Sequence, residues 1–463
     1  MHEVTGIKTI EITPNTSLDT SGANPPILSS NMIPVYYDES SSSWRKADEN
    51  NKVKKYKWYD YDNKMWANSV TVSETNRSKY QSANLGTEIP MNDILTMEVW
   101  IPRYKYKVFN YNSDGTVSSN EQQIEITFEK DNKNTSEITC SDSISGTDGK
   151  ASETCELKST NATCTDSLCN NKTYTHPAFT FGNEEIKGFW IGKFELTGTI
   201  SSITIKPNLS SIRSQTVSTF ETNIMNMKNS GNRYGFSTNT DTHMIKNSEW
   251  GAVAYLSHSK YGTCTNSSCT EIGINNNSNY KTGCGANAGS SSSTTCNTYN
   301  TSNGVLTSTT FNIYGAYDMN GEAHESVMAN LISNDGTTMI SGNTTSENSG
   351  YAGKLYNSGK YTSVTGINYP NAKYYNKYSF STDYTSRTNS KLGEAVKEVY
   401  NGSRGWYNDY SEFNYNVSPW SVRGGSYDIN SWAGITCHRV YSGKADTSVS
   451  SRIILIPWNQ KSY

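Results

Sequence analysis

Eight of the nine cysteines are gathered into two short polar stretches: Cys140, Cys155, Cys164 and Cys169 in the first, Cys264, Cys269, Cys284 and Cys296 in the second. Cys164 and Cys169 enclose TDSL, and Cys264 and Cys269 enclose TNSS. Loops this short close at little entropic cost. All eight lie in Gly/Ser/Thr/Asn-rich text, so they read as disulfide candidates that staple loops locally, which requires an oxidising compartment. Free surface thiols are the plain alternative. A zinc site would want CxxC pairs or added histidines, and the six His are scattered. Cys437 stands alone.

The rest of the chain is apolar-poor. Hydrophobic residues make up 34% of 463 residues and mean hydropathy is -0.69. That length implies about two or three domains. A net charge of -3, with only 18% charged residues, argues against nucleic acid as a partner, since phosphate backbones need clustered Lys and Arg. No stretch approaches the roughly 18 apolar residues of a bilayer span, so direct membrane insertion is not expected. The opening MHEVTGIKTIEI has no apolar region of the kind a signal peptide carries.

Residues 1–90 read as a small β-rich attachment or assembly module. It has an alternating strand over 3–13, a linker over 14–32 and aromatic short strands over 33–70. Trp44, Trp58 and Trp66 read first as core and second as a carbohydrate platform. In residues 91–463 a strand over 96–115 ends in an Asn-Ser-Asp-Gly turn, and QQIEITFEK (122–130) pairs with it as a hairpin. GFWIGKFELTG (188–198) and SSRIILIPW (450–458) are further strands. Helices are expected over 214–229, over 391–400 and from a cap at Asn247 or Ser248, with Glu249 in the first turn where free amides favour a carboxylate. Residues 131–172, 262–310 and 331–390 read as inserted loops, and Glu184 and Glu185 as solvated charge. Long polar loops on a small scaffold suit recognition, because Tyr gives rigid contact area and Ser, Asn and Gly give pliable polar contacts.

Four segments in order (GFWIGKFELTG, KNSEWGAVAYLSHSKYG, NIYGAYDMNGE and WSVRGGSY…SSRIILIP) make residues 95–463 similar to the formylglycine-generating-enzyme superfamily. The resemblance implies an α+β, C-type-lectin-like domain. It extends to the variable proteins of diversity-generating retroelements, whose segment after GGSW contacts ligand. Carried over, Arg423, Gly424, Gly425 and Ser426 match the structural turn, with Tyr427 where Trp is usual. The implied ligand-binding residues are Tyr427, Asp428, Asn430, Ser431, Trp432, Thr436, Cys437, His438 and Tyr441, and Arg452 matches the arginine of the last strand. The aromatic GNVWEW segment is replaced by GEAHES (321–326), whose His324 and Glu325 read as solvent-side residues.

The superfamily's oxidase holds copper with two cysteines. TCHRVYSG (436–443) resembles the string around one of them, but Cys437 has no second thiolate beside it. No G-x-S-x-G, P-loop, HExxH, dinucleotide glycine fingerprint or EF-hand spacing occurs. The sequence therefore leads to a non-enzymatic display protein without a cofactor, structural calcium being the one ion the fold often holds. It would be diversified at its C-terminal surface and would bind a protein or glycan receptor. Its place would be extracellular, on a virion tail or a bacterial surface, attached or oligomerised through the N-terminal module. The alternatives are a copper-dependent formylglycine-generating-like oxidase and a structural fibre subunit without a specific ligand.

Overall fold

The structure is a computed structural model that describes residues 17–111, 120–144 and 151–457. The strand expected over 3–13 and the turn at 112–115 lie outside the described residues. The fold is mixed α+β, with several small sheets and few helices. No helix among the described residues is long and apolar enough to cross a membrane.

The first sheet contains β1 (Ile33–Asp38), β2 (Ser43–Lys46), β3 (Asn68–Val72) and β4 (Ile94–Pro102). Its seven strands run in the order Asp241–Met244, Ile453–Ile456, Gly188–Gly192, β4, β3, β1, β2. Every neighbouring pair is antiparallel. All nine residues of β4 are buried, which is why ILTMEVWIP reads as a nearly continuous apolar run. Trp44, Trp58 and Trp66 are core residues, not a platform, and Trp58 stacks on Trp190 at 6.3 Å. The boundary drawn at residue 90 falls inside this sheet. β3 pairs with β4 from Asn68↔Val99 to Val72↔Ile94, so the described part of the N-terminal region shares its sheet and its core with the C-terminal strands.

The second sheet has the order β6, β5, β9, β7, β8, with β5 (Tyr104–Lys107), β6 (Ile126–Phe128), β7 (Ile138–Ile144), β8 (Ala151–Leu157) and β9 (Thr173–Thr175). The expected hairpin is there, with Tyr104 opposite Phe128. Much of the segment read as an inserted loop over 131–172 is the β7–β8 hairpin. Its low apolar content belongs to an edge hairpin, which has only one face to bury.

The third sheet joins Asn376–Tyr378, His324–Leu331, Trp420–Arg423 and His438–Tyr441. The helices at Val217–Met225 and Asn247–Ser257 are both shorter than their sequence windows. Glu249 starts the second by accepting the Lys246 N–H at 2.8 Å. The helix expected over 391–400 reduces to one turn at Lys397–Val399, because Gly393 (φ 84°) and Ala395 (φ 50°) are left-handed. The 262–310 segment is irregular but packed. Asn275 and Asn277 are fully buried and bond backbone carbonyls that no strand satisfies. Within 331–390, strands form at Ile340–Gly342, Gly353–Asn357, Lys360–Val364 and Asn376–Tyr378.

Candidate functional site

β7 and β8 pair with Cys140 opposite Cys155 and Asp142 opposite Glu153. Side chains two apart along a strand share a face, so both pairs lie on one side of the hairpin. The cysteines are joined as a disulfide. One donor atom from each of Cys140, Glu153 and Cys155 lies within 4.8 Å of the others. Cys155 is buried, whereas Cys140 is half-buried and faces a cleft of about 1000 Å³.

The cleft is bounded by Cys140, Asp142 and Glu153 from the hairpin, by Lys391 and Glu394, and by Lys246, Asn371 and Asn376. The 391–397 segment is clamped to the hairpin. Lys391 pairs with Asp142, while Glu153 accepts the Leu392 N–H at 3.1 Å and pairs with Lys397 at 3.5 Å. Glu394 accepts the Lys391 N–H at 2.8 Å and the Tyr378 hydroxyl at 2.7 Å. Burial pushes its carboxyl up to about 7. The two sulfurs beside the Glu153 carboxylate are oxidised here, and an outside reductant that supplies two electrons and two protons would convert them to a dithiol. As dithiol they form a soft donor set of the kind that selects Cu(I) or zinc. As disulfide they offer no thiolate, so a metal fits the reduced form only. The expectation that the chain carries no catalytic groups is corrected by this cluster. From the sequence both cysteines read as staples alone, because the strand register that adds Glu153 to them is a property of the fold.

The tail expected to display ligand contacts divides in two. Arg423, Gly424, Gly425 and Ser426 form a buried turn. The Arg423 guanidinium donates to Asn247 Oδ1 at 2.7 Å and to the carbonyls of Glu394 at 2.9 Å and Ala395 at 3.0 Å. Gly425 has φ 77°, and a Cβ there would meet Ala433 Cα at 2.6 Å. Beyond the turn, Tyr427 and Asn430 are half-buried and Asp428, Ser431 and Trp432 are exposed. Trp432 is 43% exposed, with the Arg404 guanidinium 4.6 Å from its ring.

Thr436, Cys437, His438 and Tyr441 are buried, contrary to their expected place on the surface. Asp409 accepts from the Thr436 N–H at 2.9 Å and hydroxyl at 2.6 Å, and His438 Nδ1 lies 2.7 Å from the Glu412 carbonyl. Segment 409–412 thus covers Thr436 and His438. Burial pushes the Cys437 thiol up and the His438 imidazole down, each toward its neutral form. Cys437 is the free cysteine among the nine. The other eight form Cys140–Cys155, Cys164–Cys169, Cys264–Cys269 and Cys284–Cys296.

Two further readings are corrected. His324 and Glu325 are buried, and Glu325 takes the Arg452 Nε at 2.9 Å. Glu185 is half-buried and pairs with the fully buried Arg103 at 2.5 Å. Comparison with protein-family models and with curated proteins gives no match for this chain.

Proposed function

We propose that Cys140, Cys155 and Glu153 form a redox-active, metal-binding centre on the cleft wall, and that the chain acts as an oxidase of the copper-dependent kind. The carrying observation is the compact donor set, all within 4.8 Å, open to the cleft through Cys140. Glu153 is held by the Leu392 N–H and Lys397, so its carboxylate stays fixed when the disulfide opens. Cys140, the more accessible sulfur, is the one a reductant or thiol substrate attacks. Copper, when bound by the reduced pair, would supply one-electron chemistry with dioxygen. The centre lies in the β7–β8 hairpin and not at the tail position that resembles the superfamily oxidase, where Cys437 is alone. The C-type-lectin-like fold is a proposal common to this reading and to receptor binding, whereas the retroelement link and a virion or cell-surface location belong as proposals to receptor binding. The four disulfides support an oxidising setting.

The test is Cu(I) binding by the reduced full chain, read by competition with a chromophoric chelator, together with oxygen uptake. Cys140→Ser, Cys155→Ser and Glu153→Gln variants are compared with wild type. Wild type should bind copper, and each cysteine variant should lose at least about tenfold in affinity. Equal copper binding by wild type and both cysteine variants would sink the reading.

A second reading, receptor binding at the tail, is favoured by one feature. Trp432 is exposed beside Arg404, while Tyr410 lies 6.0 Å from its ring. Trp, Tyr and Arg are the side chains that dominate binding hot spots.

A further inference from the structure

We propose that Asn401 is a site of spontaneous covalent change, at which the side-chain amide closes onto the Gly402 backbone nitrogen and ends as aspartate or isoaspartate. The sequence holds three Asn-Gly pairs: Asn303–Gly304, Asn320–Gly321 and Asn401–Gly402. Asparagine is thermolabile. A following glycine exposes it further, because glycine puts no side chain beside the attacking nitrogen and leaves the backbone free to turn. The three pairs differ in whether that nitrogen is engaged.

The Gly321 N–H donates to the Gly424 carbonyl at 3.0 Å. The Asn320 amide is 1% exposed and donates to the Ile272 carbonyl at 2.7 Å. Gly304 is buried, and its N–H donates to Thr301 Oγ1 at 3.1 Å. Residues 401–403, by contrast, are all exposed. Among the described residues the Gly402 N–H and the Asn401 side chain make no hydrogen bond. A Cβ on Gly402 (φ 70°) would meet nothing within 4 Å, so the pair has open space around it. The bend is closed by other groups. The Asn401 N–H donates to the Arg404 carbonyl at 2.6 Å, the Ser403 N–H to the Asn401 carbonyl at 2.8 Å and the Tyr400 hydroxyl to the Gly402 carbonyl at 2.6 Å. These bonds hold a tight turn and leave both reacting groups free.

The change needs water alone. The Gly402 nitrogen bonds to Asn401 Cγ, the Cγ–Nδ2 bond breaks, and ammonia leaves with the proton given up by the Gly402 nitrogen. Water then opens the cyclic imide at either carbonyl, which gives aspartate or isoaspartate. Either product puts a carboxylate on the turn that carries Arg404, whose guanidinium lies 4.6 Å from the Trp432 ring and 4.8 Å from the Tyr410 ring. The tail surface thus gains negative charge as the protein ages. This inference rests on neither the oxidase reading nor receptor binding.

The test is peptide mapping of the full, folded chain after incubation in mildly alkaline buffer, with an isoaspartyl methyltransferase to label the isoaspartate product. Trypsin releases residues 398–404 as one peptide, between Lys397 and Gly405. Asn401 should convert about tenfold or more faster than Asn303 and Asn320, since each of those must first break a hydrogen bond. In urea the three pairs should react at similar rates, which separates the effect of the fold from that of the sequence. Gly402→Ala should slow conversion at Asn401, and Asn401→Gln should remove the signal from this peptide. An unconverted Asn401 in the folded chain beside conversion in urea, equal rates at the three pairs in the folded chain, or a rate at Asn401 unchanged by Gly402→Ala would each overturn it.

Discussion

Gly251 faces Gly393 so closely that a methyl group on Gly251 would lie 1.9 Å from the Gly393 carbonyl oxygen. Gly251 sits in the helix Asn247–Ser257, and Gly393 sits in the segment that walls the cleft. Their contact lets the helix backbone approach that wall. Gly251→Ala should therefore destabilise the fold by at least about 1–3 kcal/mol, the usual cost of overpacking. Urea unfolding measures the loss, and limited proteolysis should show the 391–400 segment cut sooner.

Arg452 and Glu325 form a fully buried ion pair in which Arg452 also donates to the carbonyls of Gly192 and Tyr317, both at 2.8 Å. Arg452→Met removes the cation and leaves a buried carboxylate unpaired. The expected cost is about 3–5 kcal/mol, read from denaturant midpoints. A loss below about 1 kcal/mol, on the scale of a surface pair, would show that the pair is solvated.

His243 is held between Asp241 at 2.8 Å and Glu249 at 3.0 Å. Burial pushes its pKa down, but Glu249 and Asp241 outweigh burial and raise it to about 9. The folded value is above the unfolded value of about 6.5, so this contribution is complete below that pH. It is lost as the pH rises through about 9. Stability should fall over that window by on the order of 3 kcal/mol from this group. An NMR titration placing the His243 imidazole below about 7, in its unperturbed range, would contradict it.

Removing the Cys140–Cys155 bond should cost about 3 kcal/mol in the chain-entropy view, since its cysteines are 15 residues apart. The Cys140→Ala/Cys155→Ala variant tests this by thermal unfolding. Little or no loss would mean that the reduced hairpin stays just as ordered.

Trp432→Ala should leave stability within about 0.5 kcal/mol, since the side chain is largely at the surface. The buried Trp420→Ala should cost about 3–5 kcal/mol. Circular dichroism melts separate the two, and similar losses would show that the tail surface is structural.

Legibility in the sequence follows the range of the interactions. The 104–107/126–128 hairpin, the helix opened by Glu249 and the disulfide staples are local, and local patterns announce them. Burial of Thr436 and His438 depends on segment 409–412, 27 and 26 residues upstream, and no periodicity in the tail reports that cover. Glu325 reads as solvent-side because its partner, Arg452, is 127 residues away. The cleft cluster does leave a trace. In ETCE, Glu153 and Cys155 alternate along a strand and so share a face. Without the register that sets Cys140 opposite Cys155, that alternation looks like any polar edge strand.

The four cross-links join cysteines no more than 15 residues apart. Each can therefore form as soon as its own short stretch has emerged, before the C-terminal strand Ile453–Ile456 is available to complete the first sheet. Oxidation during synthesis has few wrong partners to choose from, and Cys437, enclosed once the tail closes, is withdrawn from exchange.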